Sequence, residues 1–77
     1  MVDVSQINEH ADVVGSDGVH VGTVDHVDHG EIKLTKKDSA AEGLHHFIPM
    51  DFVQAVEGNT VRLDRSAEEV KREWSTS

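Results

Sequence analysis

The chain has no cysteine and no tyrosine, one proline, and only Phe47, Phe52 and Trp74 as aromatic residues. Without cysteine no disulfide can staple the fold, which suits a reducing compartment, and no thiol nucleophile exists. No apolar run approaches the ~20 residues that a membrane-spanning helix needs. The opening residues Met1 to Ser5 lack the basic and apolar regions of a signal peptide, so the expected location is cytoplasmic. Positive charge is scarce too: 7 Lys and Arg stand against 15 Asp and Glu, a formal net charge of −8. Phosphates are neutralised by Lys and Arg, so the expected partners exclude nucleic acid and anionic membranes. Lys33, Lys36 and Lys37 form a local exception, read as a solvated strand end.

What remains is an ordinary globular balance, with 36% hydrophobic and 29% charged residues in 77. That length suits one domain, residues 1–77, with a core small enough that self-association is an expected source of extra stability. Alternation and turn chemistry divide it into short strands. Val13-Val14 is followed by Ser16-Asp17-Gly18-Val19, where Asp17-Gly18 predicts a two-residue type I′ hairpin. The returning strand, Val19 to Asp28, changes phase: Val19, Val21 and Val27 share one phase and Val24 the other. Gly22 sits at the first slip, as at a β-bulge or bend. After the His29-Gly30 turn, Glu31 to Thr35 alternates cleanly. A polar loop spans Lys36 to Gly43, with one helical turn predicted at Ser39 to Glu42.

A fourth strand runs from Leu44 to Ile48 and stops at Pro49, which cannot donate to a ladder. Phe52, Val53 and Val56 mark a fifth strand, and Thr60 to Asp64 a sixth beyond the Gly58-Asn59 turn. Ser66 and Glu69 have capping-box spacing, and Ala67, Val70 and Trp74 share one helical face, which predicts a closing helix over about 66–74. The expected core is Val14, Val21, Val24, Ile32, Leu34, Ile48, Phe52, Val53, Val56, Val61 and Leu63.

The run from Val14 to Val24, with Gly18 and Gly22 spaced along a hairpin, resembles the opening of PRC-barrel domains. Phe47-Ile48-Pro49-Met50-Asp51-Phe52-Val53 is similar to the apolar-Pro segment that leads into their final hairpin. The His45-His46-Phe47-Ile48-Pro49 stretch and the closing Ser66-Ala67-Glu68-Glu69 helix narrow the resemblance to small stand-alone bacterial proteins of unknown function. The resemblance implies an all-β fold, a six-stranded PRC-type β-barrel over about 11–64 with a short C-terminal helix. It carries Gly18, Gly22 and Pro49 over as structural positions and supplies no catalytic set. PRC barrels in the photosynthetic reaction-centre H subunit and in a ribosome maturation factor bind other proteins.

The six histidines are the unusual feature. His26 and His29 flank a hairpin tip and His45 and His46 sit in a strand, so these four are the candidate metal ligands. Neighbouring strand residues point to opposite faces, which sets His45 against His46, and no helical H-x-x-x-H spacing is present. Solvated histidines, some beside Asp25 or Asp28, are the plainer reading. Protonating all six would bring the formal charge to −2 and favour association.

Gly15-Ser16-Asp17-Gly18 lacks both the spacing and the strand-to-helix setting of a nucleophile elbow, and reads as a turn. Asp25-His26 is the nearest approach to an acid–base pair, with little room for a substrate cleft. Phe47, Met50, Phe52 and Trp74 are the candidate partner-binding residues. The expectation is therefore a small soluble protein-binding or assembly module without catalytic activity or cofactor, forming a homo-oligomer, most simply a dimer. Metal or small-ligand binding by the histidines is the alternative.

Overall fold

The computed structural model describes residues 7–28, 30–36 and 45–76. They form β1 (Asp12–Val14), β2 (His20–Asp28), β3 (Glu31–Leu34), β4 (His46–Pro49), β5 (Val53–Glu57), β6 (Thr60–Leu63), helix α1 (Ala67–Glu73) and β7 (Ser75–Thr76), with a 3-10 turn at Met50–Phe52 between β4 and β5. The strands lie in the order β5-β6-β1-β2-β3-β4-β7. All neighbours are antiparallel except β1 and β6, which run parallel. The result is a mostly β, mixed sheet with one short helix near its C-terminal end.

The sheet bends at β2, whose first half pairs with β1 and whose second half pairs with β3. Two bulges explain the phase changes in its sequence. Val14 opposes His20 and Val13 opposes Gly22, leaving Val21 as an extra residue; Val24 opposes Leu34 and His26 opposes Lys33, leaving Asp25 extra. Each bulge inverts the alternation once. Val21, Val24 and Val27 therefore all reach the core although their numbers alternate between odd and even. A Cβ on Gly22 would stand 2.8 Å from Leu34 Cδ1, so this bend also needs a bare backbone.

The first hairpin differs from a type I′ turn. That turn needs positive φ at both central residues, whereas Gly18 (φ 80°) carries one and Asp17 does not. The Gly18 amide donates to the Gly15 carbonyl and the Gly15 amide to the Val19 carbonyl, both at 2.9 Å. This is a three-residue loop: a turn over Ser16-Asp17, then Gly18 in the left-handed region. One residue longer than expected, it leaves Asp17 free to serve the helix instead.

The ladders also do not close into the expected six-stranded barrel. Closure would pair β4 with β5, but that side of β4 is taken by β7, a two-residue strand the alternation did not reveal. The 3-10 turn carries the chain from β4 to β5 round a corner instead of along a ladder.

The core lies on the concave side. Val13, Ile32, Ile48, Val61, Leu63 and Val70 are fully enclosed, joined by Ile7, Ala11, Val21, Val24, Leu34 and Ala67. Phe52, Val53 and Val56 are only half-buried against it. Both Val13 and Val14 are buried because β1 sits between β2 and β6 in the sheet interior. Helix α1 packs beside β2 and seals the core with Ala67 and Val70. Ser66 caps it by accepting from the Glu69 amide at 3.2 Å, and the Glu69 carboxylate accepts from the Ser66 hydroxyl at 3.2 Å. Trp74 is its C-cap rather than its last turn.

Candidate functional site

Paired residues on adjacent strands share a face, so the register places the candidate side chains. His26, Lys33, Phe47 and Ser75 form one row across β2, β3, β4 and β7 on the convex face. His46 and Ile48 point the other way and are buried. The His46 ring stacks on Trp74, with centroids 3.7 Å apart and planes 15° off parallel. The sheet therefore stands between Phe47 and Trp74, and these two do not share a surface. Met50 and Phe52 lie in the 3-10 turn and lean on the core. The Arg65 guanidinium lies 3.8 Å above the Phe52 ring. That cation is held by Asp64 at 2.8 Å and by Glu73 at 3.1 Å. Hydrogen bonds to Asp64, then to Glu73, hold Arg65 above the ordinary guanidinium value, so it stays charged wherever the protein is folded.

The described histidines make separate contacts. His26 stands 3.9 Å from the Asp25 carboxylate, both about two-fifths exposed. His45 Nδ1 donates to the Leu34 carbonyl at 3.0 Å. His29 and the Ser39 to Glu42 turn lie outside the described residues. Among the described residues, no three His, Asp or Glu side chains gather closely enough to hold a metal ion.

Two groupings escaped the residue pattern. His20 Nδ1 sits 2.6 Å from the Asp12 carboxylate on the convex face of the first hairpin. His20 opposes Val14, so Asp12 is its diagonal neighbour; the loop length was the signal that would have paired them. Asp17 Oδ1 accepts from the Val19 amide at 3.2 Å and, at a long 3.5 Å, from the Ala67 amide at the start of α1. The loop and the helix are thus clasped at Asp17. Val19 beside them is the exposed large apolar side chain of the described residues, at 52%.

A family model described as "Uncharacterized protein conserved in bacteria (DUF2171)" matches residues 7–71. The chain belongs to this family. The DUF2171 match covers β1 to β6 and most of α1, while Trp74 and β7 lie beyond it. No curated protein and no solved structure matches the chain. Among the described residues no helix is long and apolar enough to cross a membrane, which leaves spanning by strands unaddressed.

Proposed function

We propose that this chain is a small protein-binding or assembly module without catalytic activity, that it works in the cytoplasm, and that it associates by strand addition at an open sheet edge. The observation that carries this reading is β5. Its one partner among the described residues is β6, so its other side presents backbone groups outward. An edge of that kind is a template for another strand. A bulge at Gln54 shortens the usable edge to Ala55 through Glu57, and Ala55 and Val56 there are half-buried and uncharged. The resemblance to PRC-barrel domains points the same way, since those bind proteins. We read the curled sheet as a PRC-type barrel left open, on the strength of the bend at Gly22 and the Pro49 corner.

Native mass spectrometry and sedimentation on the untagged chain test this. The expected result is a dimer with no added mass, weakened at least tenfold by Gln54→Lys, which sets an exposed charge at the edge. A strict monomer that captures no strand, or a mass increment matching a metal ion, would overturn the reading.

A further inference from the structure

The opposite edge of the sheet already carries a strand. Beyond α1 the chain runs extended at Trp74 (φ −67°, ψ 154°) and pairs Ser75 with Phe47 and Thr76 with His46. Resting on the reading that the sheet edges are binding surfaces, we infer that the β4 edge is a strand-binding site whose built-in occupant is Trp74 to Thr76. The partner it fits is a short extended peptide with an aromatic side chain immediately ahead of two ladder-forming residues.

The occupant shows what the site selects. Two residue pairs of ladder give little affinity and no sequence preference, because they are backbone contacts. Selection falls to the ring. His46 is 5% exposed and forms a flat aromatic floor, and the indole lies parallel to it at stacking distance. An aliphatic side chain at that position would lose the stacked contact. Pro49 closes the site at its far end, since it has no amide to donate, so only a segment of about three residues can pair along β4. The ladder is short and lies past the helix cap, so the built-in strand is held chiefly by the Trp74 stack. A tethered strand of this kind acts at an effective concentration of ~mM, against which an outside peptide competes by affinity and concentration together. The latch thus keeps weak ligands off and yields to a better one.

The test uses the acetylated peptide Glu-Trp-Ser-Thr-Ser, titrated into the full chain and into its Trp74→Ala and Ser75→Pro variants. The His46 ring and Phe47 amide signals are followed by NMR. Ser75→Pro guards against misfolding of Trp74→Ala: proline demands an extended residue before it, and Trp74 is already extended, so only the ladder is lost. Trp74→Ala should bind the peptide at least tenfold more tightly than the wild-type chain, and Ser75→Pro, which keeps the stack, more tightly by a smaller factor, with shifts at His46 and Phe47 in both. A peptide with Ala in place of Trp should lose that binding. Equal affinity in all three chains, equal binding of the Ala peptide, or binding that leaves His46 unmoved would overturn the inference. A dimer still sensitive to Gln54→Lys would then leave the wider reading standing, whereas a strict monomer without strand capture removes that reading too.

Discussion

Gly15 and Gly18 are three residues apart and are glycine for different reasons. A Cβ on Gly15 would overlap the Ala67 amide nitrogen and stand 2.8 Å from both Ser66 C and Asp17 Oδ1, so backbone would have to move. A Cβ on Gly18 would meet nothing within 4 Å, but φ at 80° is strained for any L side chain. Gly15→Ala should therefore cost about 2–3 kcal/mol, the scale of overpacking against atoms that cannot yield. Gly18→Ala should cost only about 1–2 kcal/mol, and Gly18→Asn should recover most of that because Asn tolerates the left-handed region. Urea unfolding of the three variants checks the order. If Gly15→Ala proved no worse than Gly18→Ala, the close seat of the first loop on α1 would be wrong. The turn role of Gly18 was legible from the Asp-Gly pair. The need for Gly15 was not, because it arises from a helix more than fifty positions downstream.

Helix α1 is seven residues long, too short to hold itself in water, so its cap and buried stripe decide whether it forms. Ser66→Ala removes the acceptor for the Glu69 amide and should cost about 1 kcal/mol. The loss should appear at Trp74 as well as in global stability, because the helix end delivers the indole to His46. Thermal melts followed by Trp74 fluorescence and by far-ultraviolet circular dichroism check both parts. A helical signal that fell while the fluorescence baseline held would mean that the latch stands without the helix. Elements such as α1, β3 and β6 were readable because cap spacing and period-two alternation are local signals. β7 was not, since two polar residues carry no period and become a strand only where β4 offers an edge. The same limit applies to the candidate site. Phe47 and Trp74 are both apolar and near chain corners, but only the register shows the sheet between them. The Asp12–His20 contact likewise needed the loop length.

At the scale of the molecule, two electrostatic effects oppose each other. Exposed pairs such as Glu57–Arg62 and Glu68–Arg72 attract, and salt weakens them. Each is worth about 0–1 kcal/mol at most in its exposed setting. Against them stands the formal −8, confined to a body of 29 × 23 × 19 Å. The Debye length is about 10 Å at 0.1 M salt, so at low ionic strength the carboxylates across much of this surface repel one another. Unfolding relieves that repulsion by spreading the same charge over a larger volume. The net repulsion should win, because the attractive pairs among the described residues are exposed and short-ranged while the excess charge is shared by the whole surface. Raising sodium chloride from about 0.02 M to 0.5 M should therefore increase the urea midpoint and the melting temperature, most steeply below about 0.1 M, where screening changes fastest. Sodium sulfate at matched ionic strength separates screening from the exclusion of salt from the protein surface, since only exclusion favours sulfate. A melting temperature that fell with added chloride would show that the ion pairs, with Arg65 between Asp64 and Glu73 foremost, outweigh the excess charge in holding this fold.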